Sequence, residues 1–466
     1  MKTHLIGIGG IGMSGIARLL LVQGESVSGS DAEENGLIRQ IRSLGGQVWI
    51  GHSGSHVAGA DRVVYSSSIS PENPELIAAR NRGIPVLHRG QIVAELAAGR
   101  RTVAVGGAHG KSTTTAMAGE LLLSAGLDPL VILGAEVEAL GGNARMGKGR
   151  TAVIETDESD GSLLWLKPTV AILTNVDEEH LDYFRNTGEI LSAYASFADR
   201  VEPEGLLIGC IDSLLLRQIL SACSRRKITY GLSAEAQLTA AEIQLTAGGS
   251  RYRCVRSGKG LGTVRLRVPG VHNVLNSLAV VGLAEAMGID FKTAQAALGN
   301  FTGAKRRFQI QGELDGVMVV QDYGHHPAEI LSTLEAARTW PAKRIRCIFQ
   351  PHRYSRTRYL LRRFGSCFRL ADELILLPIY AASEEPIPGV TSERLMDLVR
   401  KESRVPVSLE TPDGVVQKLA SDSKPGDLIL FLGAGSVGEL AGELVEQLKR
   451  RNGSGRPLEH VNTAGA

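Results

Sequence analysis

Two short glycine-rich turns constrain this chain more than any other feature. Each stands between a β-type apolar run and a helical pattern. The first is Gly7-Ile8-Gly9-Gly10-Ile11-Gly12, which ends the apolar run from Leu5 and opens a pattern through Ile16, Leu19, Leu20 and Val22. The second is Gly107-Ala108-His109-Gly110-Lys111-Ser112, which follows Thr102-Val103-Ala104-Val105 and precedes Leu121-Leu122-Leu123. A strand that feeds a helix through a glycine turn is the repeating unit of a parallel sheet covered by helices. The chain is therefore expected to be α/β.

The two turns differ in specificity. Gly7, Gly9 and Gly12 satisfy GxGxxG, which lets backbone approach a pyrophosphate at a helix N-terminus. Ser30-Asp31 ends the next strand candidate, where an acid that binds a ribose would lie. Alone, this pattern leaves a nicotinamide cofactor, another nucleotide and tight packing all open. The second turn carries Gly-Lys-Ser with the spacing GxxGKS. Its backbone N–H groups can surround a phosphate, Lys111 can reach a terminal phosphate and Ser112 can ligate magnesium. Lys111 is expected to face solvent when no nucleotide is bound.

Further strand candidates extend the pattern. They are Val27–Ser30, Arg62–Tyr65, Ala152–Ile154, Val170–Leu173, Val317–Val320, Ile345–Phe349, Glu373–Leu377 and Leu428–Leu432. Between Leu238 and Val268 the pattern alternates, with Val264, Leu266 and Val268 on one side and Arg265 and Arg267 on the other. That reads as antiparallel hairpins added to a parallel sheet. At about 150 residues per domain, 466 residues suggest three domains, with breaks near Arg100 and Ala304. The tail 451–466 has little to bury and is expected to be disordered.

Composition excludes several classes. Lys and Arg number 51 against 49 Asp and Glu, a balance that does not suggest a nucleic-acid-binding surface. No apolar run approaches 18 residues, so membrane insertion is not expected, and the first ten residues lack the layout of a secretion signal. The five cysteines (Cys210, Cys223, Cys254, Cys347 and Cys367) are odd in number and contain no CxxC. They are expected to be reduced thiols of a cytoplasmic protein.

Polar clusters follow several strand candidates. Glu155-Thr156-Asp157-Glu158-Ser159-Asp160 and the group from Asn175 to Asp182 lie where a parallel sheet gathers its strand ends, so carboxylates and His180 are expected near the phosphates. His272 to Asn276 opens a helix. An asparagine of this run can pair with an adenine edge and His272 can stack on a base, although helix capping by Asn273 is the competing reading. Arg306-Arg307-Phe308 reads either as an anion clamp or as a solvated basic turn. Asp322-Tyr323-Gly324-His325-His326-Pro327 and His352-Arg353-Tyr354-Ser355-Arg356 concentrate polar groups. Arg353 and Arg356 are expected on one helical face, facing a carboxylate or phosphate.

In order, GIGGIGMSGIA, YSSSI, GAHGKSTTTAM, ETDESDGS, TNVDEEHLD, PGVHNVLNSLA, DYGHHPAEI, FQPHRYSRT, YAASEEPIPG and FLGAGSVG resemble the Mur ligase family over nearly the whole chain. The resemblance implies a Rossmann-like UDP-binding domain (1–99), a central P-loop ATPase domain with a parallel sheet and antiparallel hairpins (100–303), and a C-terminal Rossmann-like domain (304–450). It implies ATP-dependent ligation of L-alanine to UDP-N-acetylmuramate through an acyl phosphate, with Mg2+, by a monomer or homodimer. It reassigns the first turn from a nicotinamide cofactor to a UDP-sugar.

The residues carried over follow the motifs. For the UDP-sugar they are Gly9, Gly10, Ile11, Gly12, Met13, Ser14, Ser30, Asp31, Ser67, Ser68, Arg89, Asp157 and Ser159. For ATP they are Gly107, Ala108, His109, Gly110, Lys111, Ser112, Thr113, His272, Asn276, Arg307 and Asp322. Tyr323, His325, Arg353 and Arg356 are implied for the amino acid. Ser112, Glu155 and His180 are implied for the metal, with Glu158 an alternative to Glu155. Lys111, His180, Arg353 and Arg356 are implied for catalysis. Two departures stand out: Ala108 and Ser112 replace threonines in a loop that usually reads GTHGKT, and Ser436 follows GAG where an acid or amide is common.

Overall fold

A computed structural model describes residues 1–178 and 184–451. Its contacts divide the chain into two compact units, one ending at Lys305 and the other beginning at Arg306.

The first unit contains two sheets. The five strands of the N-terminal sheet, Gln47–Ile50, Ser26–Asp31, Lys2–Ile6, Arg62–Tyr65 and Val86–His88, lie in that spatial order and all run parallel. The order reverses beside Lys2–Ile6, so the first glycine turn leaves the sheet at its topological switch point, where such sheets form a crevice. The second sheet has ten strands. Its centre is parallel, with Arg101–Gly106 between Val170–Leu173 and Thr151–Glu155. Val103, Ala104 and Val105 are fully buried there, as expected of a strand covered on both faces. The expected hairpins form one edge, as Leu238–Thr246, Gly249–Arg256 and Lys259–Leu266. Val264, Leu266 and Val268 are buried and Arg265 and Arg267 exposed.

The two sheets of this unit are joined through side chains. Asn143 donates to the Ile11 carbonyl and to Ser14 Oγ, and Arg18 donates to Asn143 Oδ1. These bonds tie helix Ile11–Val22, which follows the first glycine turn, to strand Gly142–Arg145.

The second unit is a six-stranded sheet in which only Gln309–Leu314 runs antiparallel to its neighbour, Val317–Asp322. Alternation along the strands divides its core. Cys347, Phe349, Leu374, Leu376, Leu428 and Leu430 face one layer, while Ile348, Ile375, Ile429 and Phe431 face the other.

The structure adds to one reading and corrects another. Several strands escape the sequence pattern, among them Leu130–Val137, Leu206–Cys210 and Arg226–Tyr230. Arg353 does not share a helical face with Arg356. It precedes helix Tyr354–Cys367 with φ +72°, outside the helical region. Among the described residues no helix is long and apolar enough to cross a membrane. All five cysteines are buried and free.

Candidate active site

The phosphate loop runs from strand Arg101–Gly106 into helix Lys111–Ser124. Gly107 has φ +136°, and a Cβ there would lie 2.0 Å from Thr174 Oγ1, so no other residue fits the turn. Thr174 and Asn175, at the end of the neighbouring strand Val170–Leu173, hold the loop. Asn175 Oδ1 accepts from the His109 N–H at 2.8 Å, and Thr174 Oγ1 and Asn175 Nδ2 donate to the His109 carbonyl at 2.6 and 3.0 Å. The sequence reading did not assign Thr174 and Asn175 to the site. Asn175 stood in a polar cluster, but its bonds to the loop follow only from strand adjacency.

Lys111 is not solvent-facing as expected. Its Nζ donates to both oxygens of Glu158 at 3.0 and 3.1 Å and to the Ala108 carbonyl at 3.3 Å. The two side chains are 14% and 3% exposed. Ser112 Oγ donates instead to Glu155 Oε1 at 2.9 Å, and Glu155 Oε2 accepts from the Gly134 N–H at 2.6 Å. Glu155 and Glu158 therefore have different partners. His109 Nε2 lies 3.1 Å from Asp177 Oδ2. Thr113 is buried in the first turn of the helix, and Asn276 Oδ1 lies against Gly110, 2.6 Å from where a Cβ would project. His272 is half-buried at the start of helix Val271–Met287. Asn273 is not that helix's cap, which is Gly270; its Nδ2 donates to the Pro269 carbonyl. His180 lies outside the described residues.

The first glycine turn is secured from below. The Gly7 and Ile8 amides donate to the Ser30 carbonyl, and the Gly9 amide donates to Asp31 Oδ2 at 2.8 Å. Gly10 and Ile11 are exposed. The structure turns Met13 and Ser14 inward instead, and it also buries the Ser30 hydroxyl, which donates to Glu75 at 2.5 Å. Ser67 and Ser68 are exposed after strand Arg62–Tyr65. Arg89 approaches Gly12 so closely that a Cβ there would lie 2.5 Å from its Nη1. The same guanidinium is paired with Asp160 and lies 3.2 Å from Asp157 Oδ2, while Ser159 Oγ donates to Asp157 at 2.7 Å. Burial works against the charge of Arg89, and the two aspartates outweigh it, raising its pKa. Residues 155–160 thus hold Lys111 and Ser112 of one glycine turn and the arginine beside the other.

Glu75 anchors a second buried network in this region. His56 Nδ1, His52 Nδ1 and His4 Nε2 lie 2.6, 3.4 and 3.6 Å from its carboxylate. Burial alone would raise its pKa, but the neighbouring His4 ring and hydrogen bonds from Ser30 and His56 hold it down at about 2.

In the second unit the candidate residues also converge. Asp322 accepts from the Phe308 and Gly324 amides at 2.7 and 2.6 Å, which fixes the basic turn against the DYGHHP loop. Burial pushes its pKa up, opposed by Arg307. The guanidinium carbons of Arg306 and Arg307 lie 4.7 and 5.1 Å from the centre of the Tyr323 ring. His325 Nδ1 lies 3.0 Å from the Tyr323 carbonyl, and its ring centre lies 5.9 Å from that of His352. His352 Nδ1 lies 2.9 Å from Arg356 Nη1. Burial, then Arg356, lower the pKa of His352 to about 3, so the ring is neutral and accepts from the guanidinium. Ser436 accepts from Gln350 Nε2 at 3.3 Å.

These sheets and loops define a nucleotide-binding α/β enzyme. Three family models match it in succession: the Mur ligase family catalytic domain over 2–101, the Mur ligase middle domain over 105–284, and the Mur ligase glutamate ligase domain over 306–435. The chain belongs to the Mur ligase family. It is 45% identical to the UDP-N-acetylmuramate–L-alanine ligase of Anaeromyxobacter dehalogenans, over 96% of this chain and 98% of that one. To the enzyme of that name from Syntrophobacter fumaroxidans it is 44% identical, over 97% of both chains. Among solved structures, the UDP-N-acetylmuramate–alanine ligase of Thermotoga maritima matches with a TM-score of 0.83 and 28% identity, over 97% of this chain and all of that one. An ADP complex of another ligase of the family from Thermotoga maritima shares the fold, at TM-score 0.64 and 17% identity over 92% of this chain and 96% of that one.

Proposed function

We propose that this chain is an ATP-dependent amide-forming ligase that joins L-alanine to UDP-N-acetylmuramate, a cytoplasmic step of peptidoglycan precursor synthesis. The observation that carries this reading is the near-full-length likeness to ligases of that name at 45% identity, in a chain that retains the phosphate loop. We assign 1–99 to the sugar nucleotide, 100–303 to ATP and 304–450 to the amino acid.

The chemistry proceeds in two steps. An oxygen of the substrate carboxylate attacks the γ-phosphorus of ATP, the bond to the β,γ-bridging oxygen breaks, and ADP leaves. The alanine amine then attacks the acyl phosphate carbon, loses a proton and expels phosphate. The first step brings two anions together, so its barrier falls when fixed positive charge faces the transferring group. Lys111 is the residue for this role. Transfer of its ammonium from Glu158 to the nucleotide exchanges one anionic partner for another. Backbone amides of the loop hold the remaining phosphate oxygens. Arg353 and Arg356 bind the alanine carboxylate, with Tyr323 and His325 beside them.

Magnesium fits the oxygen donors present. The Ser112 hydroxyl and the Glu155 carboxylate already converge, as a hard cation requires. Ser112 and Glu155 would hold it, with His180 as a further ligand, and it would supply charge neutralisation at the phosphates. Glu155 is favoured over Glu158 because Glu158 faces the lysine. Ser112 keeps the hydroxyl of the usual threonine, and Ala108 contributes its carbonyl to Lys111 without needing a side chain.

The test is phosphate release with UDP-N-acetylmuramate, ATP and a panel of L-alanine, glycine, L-serine and a peptide acceptor. Release stimulated by L-alanine above the others is expected. Release independent of any amino acid, or dependent only on the peptide, overturns the reading.

A further inference from the structure

The geometry points to Glu384, in the YAASEEPIPG segment, as the residue that positions Arg353 for the amino-acid substrate, an inference that rests on the function proposed above. Arg353 is the last residue before helix Tyr354–Cys367 and holds φ +72° and ψ 136°, a conformation that bulky residues rarely adopt. Its side chain makes no capping bond, and the first turn of the helix contains no acid. Arg356 adds positive charge to a helix end that is already positive through its unpaired amides. That arrangement needs an anion.

Glu384 supplies it from another segment. Its Oε2 accepts from the Ser355 amide at 2.9 Å, so it caps the helix in place of a local side chain. Its Oε1 accepts from Ser355 Oγ at 2.5 Å and lies 2.7 Å from Arg353 Nε. The chain reaches this point through two left-handed residues, Ala382 at φ 48° and Ser383 at φ 68°. It is joined to the Arg353 segment by paired backbone bonds: the Arg353 amide donates to the Tyr380 carbonyl, and the Tyr380 amide to the Pro351 carbonyl, both at 2.8 Å. The His352 and Tyr380 rings stack with centres 5.5 Å apart. Burial raises the pKa of Glu384, and the bonds from Ser355 and Arg353 outweigh it, so the carboxylate is ionised at neutral pH.

The consequence follows from guanidinium geometry. The group is a planar fork, so fixing Nε fixes the direction of the terminal nitrogens, which are the ones suited to a carboxylate. Arg353 is therefore aimed by Glu384, as Arg356 is by neutral His352. Glu384 is a positioning residue and does not itself hold substrate.

Glu384→Gln keeps the size and an acceptor oxygen while removing the charge. The KM for L-alanine is expected to rise about tenfold, the factor for one charge-assisted bond of about 1.4 kcal/mol. KM values for ATP and the sugar nucleotide should stay within about twofold on the same scale. Ser355→Ala removes the hydroxyl contact without touching Arg353, and should lower thermal stability with little change in the alanine KM. An unchanged alanine KM in Glu384→Gln, or equal increases for all three substrates, overturns the proposal. A second readout does not depend on turnover: hydrogen exchange at the Arg353 Nε–H and the Ser355 amide should be faster in Glu384→Gln than in the wild type. Equal exchange refutes the placement of Glu384. A wild-type protein without alanine-dependent phosphate release refutes the proposed function instead.

Discussion

Lys111 and Glu158 form a shielded ion pair, with the ammonium 3.0 and 3.1 Å from the two carboxylate oxygens. Glu158 lies two residues from Asp160 and one from Asp157, both of which hold Arg89. The cations beside the two glycine turns are thus neutralised by a single acidic segment. A phosphate that drew Lys111 or Arg89 to itself would compete with this segment for the cation.

Lys111→Ala should lower turnover by about 10²–10³, the usual effect of losing one electrostatic contact to a transition state. It should also destabilise the fold, because Glu158 is left as a buried carboxylate without its lysine; the expected loss is about 3 kcal/mol. Adding Glu158→Gln separates the two effects. The double variant should recover most of the thermal stability and none of the turnover. Recovery of turnover, measured by phosphate release, would remove Lys111 from the chemistry.

Gly12→Ala tests the approach of Arg89. Gly12 is the second residue of helix Ile11–Val22, so on helix propensity alone alanine would be favoured by up to about 1 kcal/mol. The added Cβ would lie 2.5 Å from Arg89 Nη1 and must push the guanidinium aside. Weaker binding of UDP-N-acetylmuramate in a calorimetric titration is expected, with ATP binding nearly unchanged. Unaltered sugar-nucleotide affinity would show that Arg89 does not serve that ligand.

The strands that carry glycine turns were legible because each combines an apolar run with a sharp change of period. Arg62–Tyr65 and Val170–Leu173, which carry no glycine turn, were legible as short apolar runs bounded by polar clusters, and they begin and end where the pattern places them. Leu130–Val137 was not legible: it is interrupted by Gly134, and its pairing with Gly142–Arg145 shifts register. Placement inside one motif was legible: Lys111 and Ser112 open helix Lys111–Ser124 directly after the glycine turn. Partners supplied from distant segments were not. Glu158 is 47 residues from Lys111, and Glu384 is 29 from Ser355. Ser30 illustrates the opposite error. The resemblance assigns this residue, at the end of a strand, to the sugar nucleotide, but the alternation that buries Ser28 and Ser30 turns its hydroxyl inward to Glu75.

Glu75→Gln should reveal a linkage to pH. The folded-state pKa of about 2 lies below the ordinary 4.5, so ionised Glu75 stabilises the fold above pH 4.5 and that contribution disappears as pH falls towards 2. At 1.4 kcal/mol per unit the shift corresponds to about 3 kcal/mol at neutral pH. Urea unfolding of wild type and variant between pH 7 and pH 3 should give a stability difference that is largest near neutrality and shrinks on acidification. A difference that stays constant across this range would contradict the assignment.

His352 provides the last test, because its folded-state pKa lies in the opposite direction from that of a histidine paired with an acid. Burial and the neighbouring Arg356 lower it from 6.5 to about 3, so the folded protein resists a proton that the unfolded chain accepts. Between these values the unfolded state binds more protons, and stability therefore rises with pH through this window and falls as pH drops below 6.5. The neutral ring matters for function, since only an unprotonated Nδ1 can accept from Arg356 Nη1 at 2.9 Å. The imidazole signals of His352 in a heteronuclear NMR titration should stay at neutral positions down to about pH 4, a unit above the folded-state value. His352→Lys should repel Arg356 and raise the KM for L-alanine by at least about tenfold, the loss of one charge-assisted contact. His352→Gln keeps an acceptor and should retain a larger share of the alanine affinity. Titration of His352 near pH 6.5, or a lysine variant with wild-type alanine KM, would break the link between the neutral ring and the aim of Arg356.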